Sequence, residues 1–219
     1  MKISLNILTV IFMVVSSYSQ SIELPQEIRT KIIEKNSIPE GVKGSPFFND
    51  EFLIGTVYAN NIKPFKAYLR YDAFNDEIQM KENKKIIALL KSDSIKVEIE
   101  NKFFEIHDYQ DNDVFKKGFF ISLTEGGIVR LLSKHSKVFI EGSRASNSYG
   151  ADRPSAFKDE TDYYLNINGT LTKIELKKKD ILLKLGNKKK ELENYISLNK
   201  LKLKKEYDFI QLVNFYNSL

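Results

Sequence analysis

The 219-residue chain contains no cysteine and no tryptophan, and it has only two histidines. Without cysteine it can form neither a disulfide framework nor a cysteine-based zinc site. A lipoprotein needs a cysteine directly after its export signal to carry the lipid, so that route to a membrane is closed as well. The fold must therefore rest on its packed core, and a chain of this size can bury about 70% of its unfolded surface.

Long apolar runs are also scarce, since the longest is Ile3 to Val15, interrupted by three polar residues. It is shorter than the ~20 residues that a membrane-spanning helix needs. Lys2 supplies a positive start, and the small residues Ser17 and Ser19 precede a cleavage point before Gln20. This arrangement is typical of a secretory signal peptide.

We therefore expect residues 1–19 to be a cleaved signal peptide, with a retained N-terminal anchor as the alternative. The product would be a soluble periplasmic or extracellular protein without a transmembrane span. A short signal and the lack of disulfides suit a bacterial exported protein, and the heavy use of Lys, Asn and Ile suits an AT-rich genome.

The positive charge is concentrated at the end of the chain. Between Leu171 and Leu219 there are 12 lysines and 6 acidic residues, although the whole chain has a net charge of only +5. Such an asymmetry can mark a surface for nucleic acid or anionic lipid. The lysines alternate with apolar residues at helical spacing, which favours solvated helix faces, and we expect no nucleic-acid partner.

The middle of the chain alternates between apolar and polar residues with a period of two, which is typical of strands separated by polar turns. Asn168-Gly169 is the strongest of the hairpin signals. The segments predicted as strands are 52–59, 65–72, 77–81, 86–90, 95–99, 103–109, 118–123, 128–132, 138–141, 163–167 and 170–176. Many short strands of this kind predict an antiparallel barrel or sandwich.

Helical periodicity replaces this alternation after Lys177. Ile181 and Leu185 share a face, a helix is predicted from about 188 to 199, and another from about 204 to 218. The predicted fold class is therefore α+β, an antiparallel β-meander barrel or sandwich with a C-terminal pair of helices packed on it. Strands end at about 176 and helices occupy about 180–218, in one domain covering 45–219.

Two segments fall outside this scheme. Residues 20–44 form an N-terminal segment in which 25–35 could be one short helix, because Pro25 suits its first position and Ile28, Ile32 and Ile33 share a face. Residues 142–161 are polar and predict a long connection, which in compact domains is either functional or disordered.

The familiar catalytic and cofactor motifs are missing. There is no nucleophile elbow, no phosphate-binding glycine loop and no dinucleotide fingerprint, so we expect no cofactor and can assign neither catalytic nor ligand-binding residues. The weak candidates for a metal site are His107, Asp108, Asp111 and Asp113, because the three clustered carboxylates could attract a hard cation. Their spacing is not that of a calcium loop, which favours a solvated hairpin loop between Tyr109 and Val114 and no metal.

Three stretches resemble a known group of proteins. They are residues 43–58 (KGSPFFNDEFLIGTVY), residues 69–78 (LRYDAFNDEI) and the closing residues 208–217 (DFIQLVNFYN). The chain resembles, from about Gly44 to its end, a family of small exported proteins of Gram-negative bacteria for which no function is known. The resemblance implies an envelope or secreted location and carries over no activity and no site residues.

Three functional hypotheses remain open. The missing motifs and the 15 Phe and 11 Tyr favour a non-catalytic envelope module that binds a protein or a glycan. A second is a hydrolase-type enzyme with a dispersed site near residues 105–113 or in the 142–161 loop. A third is an anionic-surface or lipid binder that uses Lys177–Lys179 and Lys188–Lys190.

Overall fold

The structure is a computed structural model, and it describes residues 28–33, 38–83, 85–145 and 151–219. The predicted signal peptide and the predicted mature start at Gln20 lie outside these ranges. Among the described residues, no helix is both long and apolar enough to cross a membrane.

The architecture is a single antiparallel sheet followed by helices. The eleven strands are β1 (Thr30–Ile32), β2 (Leu53–Ala59), β3 (Ile62–Asp72), β4 (Glu77–Glu82), β5 (Lys85–Leu89), β6 (Ile95–Ile99), β7 (Lys102–Asp111), β8 (Val114–Ser122), β9 (Val129–Ile140), β10 (Ala156–Ile167) and β11 (Thr170–Ile174). The helices are α1 (Lys178–Lys184), α2 (Lys189–Leu198) and α3 (Glu206–Asn217), and a 3₁₀ turn (Gly186–Lys188) joins the first two. The predicted α+β class is confirmed.

The strands lie in the order β1-β5-β4-β3-β2-β6-β7-β8-β9-β10-β11. The sheet is not closed, so of the two predicted architectures the meander or sandwich fits and the barrel does not. It is nevertheless strongly curled. A hydrogen bond of 3.1 Å shows this, since the Lys137 amide on β9 donates to the Ala73 carbonyl at the end of β3. Four strands separate β3 from β9 in the sheet, so this contact brings distant strands together.

The described residues form two large hydrophobic cores and a small cluster of Phe120, Leu132 and Tyr164. The first lies inside the curl of β2 to β8 and contains the fully buried Leu69, Ile78 and Phe104. The second lies between β9–β11 and the helices, where Leu131 and Leu165 meet Phe209 and other helical residues. The ring of Tyr195 on α2 stacks on that of Phe215 on α3, with centroids 3.9 Å apart. The apolar stripes of the helices are therefore core, as predicted.

Three predictions of secondary structure are wrong. Thr30–Ile32 form the edge strand β1, paired with Leu89 to Ile87 of β5, where the pattern predicted part of a helix over 25–35. The two predicted strands at 128–132 and 138–141 are one continuous strand, β9. Its partner β10 begins at Ala156, because residues 156–161 continue the ladder with β9. The predicted 142–161 connection is therefore shorter, at residues 141–155.

Candidate functional site

The turn between β3 and β4, residues Ala73–Asp76, is the centre of the most elaborate polar structure in the described part of the chain. The Asp72 Oδ1 atom accepts hydrogen bonds from the amides of Phe74 (3.1 Å) and Asn75 (2.9 Å). Asp side chains often organise turns in this way. Asp76 closes the turn with a φ of 54°.

Two of the three sequence stretches singled out above, residues 43–58 and 69–78, meet at this turn. The Phe48 amide donates to the Tyr71 carbonyl at 2.9 Å, and the Ala73 amide donates to the Pro46 carbonyl at 3.0 Å. Residues 43–58 thus brace residues 69–78, and these two stretches together form one structural unit.

Arg70 is the centre of this unit. Its guanidinium carbon lies 3.3 Å from the ring centroid of Phe47 and 4.2 Å from that of Phe52. One terminal nitrogen donates to the Asp50 carbonyl at 2.9 Å and the other to the Gln79 Oε1 atom at 2.8 Å. Burial lowers the pKa of Arg70 from its ordinary value, against the pull of neighbouring carboxylates.

A buried polar network continues from Arg70 beneath the turn. Gln79 donates through Nε2 to Asp72 Oδ2 at 3.0 Å, and Asn75 Nδ2 donates to the same oxygen at 2.9 Å. Asp72 and Gln79 are both buried. Asp72 accepts four hydrogen bonds and Gln79 uses both ends of its amide, so these two side chains are held in place, whereas the buried Arg70 Nε atom has no hydrogen-bond partner among the described residues.

A cleft of about 620 Å³ lies above this network. Its walls include the rings of Phe47, Phe52, Phe74 and Phe157, together with Arg70 and Asn75, and we call it the aromatic cleft. The rings of Phe74 and Phe157 meet edge to face, with centroids 5.4 Å apart, and Phe74 is 48% exposed. The described residues therefore present an exposed aromatic wall on a rigid polar base.

A second cleft, of about 450 Å³, opens on the other side of the same turn. Asp76, Lys91, Lys116, Lys117, Lys134 and Tyr109 line it, and we call it the charged cleft. The Asp76 Oδ2 atom accepts from Lys91 Nζ at 2.7 Å, and Oδ1 lies 3.1 Å from Lys134 Nζ. Phe74 lines both clefts, which therefore adjoin.

Asp76 is also bound to neutral groups. The Tyr71 hydroxyl donates to Oδ1 at 2.7 Å, and the Phe119 amide donates to it at 3.2 Å. Burial alone would raise the pKa of Asp76, but Lys134 and Lys91 lower it below its ordinary value. Burial lowers the pKa of Lys134, although Asp76 acts in the opposite direction.

Gly118 on β8 makes this burial possible. A Cβ atom at that position would lie 2.7 Å from Lys134 Nζ and 2.9 Å from Asp76 Oδ2. Because glycine has no side chain, the Asp76–Lys134 ion pair can occupy the space beside Gly118.

The two histidines lie in separate environments. His135 Nε2 is 3.2 Å from the Ser133 hydroxyl, and Nδ1 is 3.2 Å from the Thr161 hydroxyl. Ser133 is 0% exposed, so this pair is a structural contact on one face of β9. Burial lowers the pKa of His135 to about 4.

Glu105, in the region proposed for a dispersed enzyme site, lies against three basic side chains. Arg130 donates to its Oε2 at 2.7 Å, Lys96 Nζ lies 3.1 Å from its Oε1, and His107 Nε2 lies 3.4 Å from its Oε2. Burial would raise the pKa of Glu105, but His107, Arg130 and Lys96 lower it to about 2.

The candidate metal ligands do not converge. His107 contacts Glu105, whereas Asp108 pairs with Lys117 at 3.1 Å and Asp111 with Lys116 at 2.7 Å. Asp113 accepts a long hydrogen bond from Gln110 at the hairpin end. Within the described ranges, no group of three or more His, Cys, Asp or Glu residues is placed to hold a metal ion.

The 141–155 connection is partly ordered by backbone pairing. Ser143 and Arg153 exchange two backbone hydrogen bonds, of 2.9 and 2.8 Å, and the Gly142 amide donates to the Ser155 hydroxyl at 2.9 Å. Residues 146–150 lie outside the described ranges. The described part of the connection contributes none of the residues named in the charged cleft.

The lysine-rich helices carry a third concavity, of about 610 Å³. Lys178, Lys179 and Lys189 surround it together with Leu182 and Leu183. Leu183 is 73% exposed. An exposed apolar side chain thus lies beside three lysines and the acidic Glu193.

Sequence patterns did not single out Arg70, Asp72, Asp76 or Lys134 as functional residues. The stretch of residues 69–78 contained the first three, but it carried no known chemistry. Comparisons with protein-family models, with curated proteins and with solved structures found no match.

Proposed function

We propose that the protein is an exported, non-catalytic binding module whose aromatic cleft holds a short saccharide of the cell envelope. The observation that supports this proposal most directly is the exposed aromatic wall of the cleft, set on the rigid network of Arg70, Asp72 and Gln79. Small-ligand sites are typically concave, mainly apolar, and supplied with a few fixed polar groups.

The size of the cleft favours a small ligand over a protein partner. Its volume of about 620 Å³ lies within the range of roughly 300–1,000 Å³ that is usual for small-ligand sites. A specific protein interface is generally larger and flatter than such a cleft, since it buries about 800 Å² of surface on each partner.

The chemistry of the walls favours a saccharide among small ligands. Phenyl rings such as Phe74 can cover the C–H face of a sugar ring, and the exposed amide of Asn75 can exchange hydrogen bonds with its hydroxyls. Asp72 and Gln79 are already held by hydrogen bonds without a ligand, so the base of the site is preorganised and binding carries little ordering cost there.

The test is calorimetric or NMR titration of the protein with a panel of envelope oligosaccharides. We expect at least one to bind, and Phe74→Ala to weaken it about tenfold, as expected for the loss of an aromatic contact at a binding site. Phe115→Ala is the matched control, because Phe115 is 82% exposed at the β7–β8 hairpin and does not line the cleft. Binding by no saccharide, or equal losses in the two variants, would contradict the proposal.

Export is tested separately, by mass spectrometry of the protein from cell fractions. We expect the exported form to begin at Gln20, since Ser17 and Ser19 precede that point. Recovery of a chain that starts at Met1 in the cytoplasm would contradict this part of the proposal.

A second candidate function is binding to an anionic surface through the lysine-rich helices. The exposed Leu183 beside Lys178, Lys179 and Lys189 favours it, because an apolar side chain next to an excess of cations suits the boundary of an anionic bilayer. We expect binding to vesicles with anionic lipid, weakening as salt rises from 0.1 M to 1 M, where the screening length falls from ~10 Å to ~3 Å. Salt-insensitive binding, or equal binding to neutral vesicles, would contradict it. Leu183→Ser should weaken the apolar contribution to vesicle binding.

A further inference from the structure

The charged cleft contains more positive charge than its one lining carboxylate can balance. Asp76 contributes a single negative charge, and both of its oxygens are shared between Lys91 and Lys134. Asp76 and these two lysines therefore sum to +1. The side chains of Lys91 and Lys134 are only 26% and 10% exposed, so bulk water screens this excess poorly.

Beyond Asp76, the carboxylate that acts on Lys134 is Asp111, which is 39% exposed and already paired with Lys116. The Lys134 ammonium group lies 5.1 Å from the ring centroid of Tyr109, 5.2 Å from that of Phe120, and 3.4 Å from the Phe119 carbonyl oxygen. Ring faces and a carbonyl dipole stabilise a cation without cancelling its charge. Burial lowers the pKa of Lys134, which agrees with incomplete compensation.

The rim of the cleft adds two further cations. Lys116 pairs with Asp111, and Lys117 pairs with Asp93 and Asp108. These carboxylates are exposed, Asp93 and Asp108 most of all. Exposed pairs of this kind are weak, so either lysine can turn to a ligand at little cost.

We propose that the charged cleft is a binding site for one oxyanion group, a carboxylate or a phosphate, of a small ligand. The group lies beside the Asp76 carboxylate, within reach of Lys91 and Lys134, and Lys116 approaches it from the rim. The Tyr109 hydroxyl is a further donor, since burial and the nearby carboxylates raise the pKa of Tyr109 to about 12 and keep it protonated. This proposal does not depend on a saccharide in the aromatic cleft, because the two clefts are separate sites with Phe74 between them.

The test measures the binding of inorganic phosphate and of acetate by thermal shift and by titration calorimetry, with sodium chloride holding the ionic strength constant. We expect phosphate or acetate to raise the unfolding temperature above that in chloride alone, because a ligand that binds the folded state stabilises it. A response to phosphate alone assigns the ligand group as phosphate, and a response to acetate alone assigns it as carboxylate. No difference from chloride for either anion would overturn the proposal.

Lys91→Gln is the decisive variant. It leaves one aspartate opposite one lysine, so the buried charges balance and the folded protein has no reason to attract an anion. We expect the affinity to fall at least about tenfold, the usual effect of losing a charged hydrogen bond. Lys116→Gln, at the exposed rim, keeps the buried pair intact and should lower the affinity by a smaller factor.

Lys66→Gln is the matched control, since it removes the same charge from an exposed position on β3 that does not line the cleft. Wild-type affinity in this variant, with losses in the other two, supports a local site. Equal losses in all three variants would show a response to net charge alone and would overturn the proposal.

Discussion

The guanidinium of Arg70 lies flat against the ring of Phe47, with its carbon 3.3 Å from the ring centroid. The two residues are 23 positions apart, in the two stretches, residues 43–58 and 69–78, that meet at the β3–β4 turn. Both clefts adjoin this turn, so the contact couples the stability of the fold to the geometry of the candidate sites.

Arg70→Lys should destabilise the protein by about 1–3 kcal/mol, even though the charge is kept. Lysine has no planar group to stack between Phe47 and Phe52, and it cannot reach both the Asp50 carbonyl and Gln79. Urea unfolding would measure the change in the free energy of unfolding. Lys66→Arg, at an exposed position of the same strand, should stay within about 0.5 kcal/mol of wild type. A change of that small size in Arg70→Lys would show that the stack contributes nothing.

Asp76→Asn should destabilise the protein by about 3 kcal/mol, because it leaves Lys91 and Lys134 without a counter-charge. The exposed Asp93→Asn, which removes a partner of Lys117, should cost less than about 1 kcal/mol. Adding Lys134→Met to Asp76→Asn should recover part of the loss, and a double-mutant cycle would measure the coupling. Strictly additive effects would be evidence against the ion pair.

In the wild type, the stabilisation that the ionised Asp76 carboxylate provides should be lost in acid. The folded-state pKa of Asp76 lies below 3.8, its ordinary value, so the stabilisation is complete above that value and is lost as pH falls through the folded pKa.

His135 should make stability fall as the pH is lowered from about 6.5 to about 4. Its pKa drops from 6.5 to about 4 on folding, so the unfolded chain takes up the proton first. The total effect should be about 2–3 kcal/mol, allowing for its partial exposure. Denaturant unfolding across this range would measure it, and His135→Gln should remove the slope. An unchanged slope in that variant would assign the pH dependence to other groups.

Asn217→Ala should loosen the attachment of α3 to the sheet. Its side chain accepts from the Val129 amide at 3.0 Å and donates to the Val129 carbonyl at 2.7 Å, and Val129 is fully buried. The loss of both bonds should cost about 1–3 kcal/mol. Asn214→Ala, on the exposed face of the same helix, should be nearly neutral. Faster amide exchange at Val129 in Asn217→Ala alone would confirm the mechanism.

Local patterns predicted most of the fold because most of it is local. The Asn168-Gly169 turn needs positive φ angles, which both residues tolerate, and the structure has them at 50° and 87°. The stripe of Phe209, Leu212 and Val213 predicted the buried face of α3 in the same way. Each prediction depended on residues within a few positions of one another.

The predictions failed where partners are distant. The three residues of β1 are a strand only because β5, more than fifty positions later, supplies their hydrogen bonds. Residues 133–137 and 156–161 lack a clear alternation, yet β9 and β10 pair through them without interruption. The side chains of the charged cleft come from β7, β8, β9, the β3–β4 turn and the segment after β5, so no sequence spacing reveals it.

The sequence by itself determined the antiparallel strands, the C-terminal helices and the expectation of export, because periodicity and apolar length act over short distances. Only the tertiary structure decided that the sheet curls without closing, that Arg70 lies between two phenyl rings, and that two lysines share Asp76. These features depend on which strands meet after the sheet has curled. Buried charge and exposed aromatic surface, the two properties that support the proposed sites, exist only once that packing is complete.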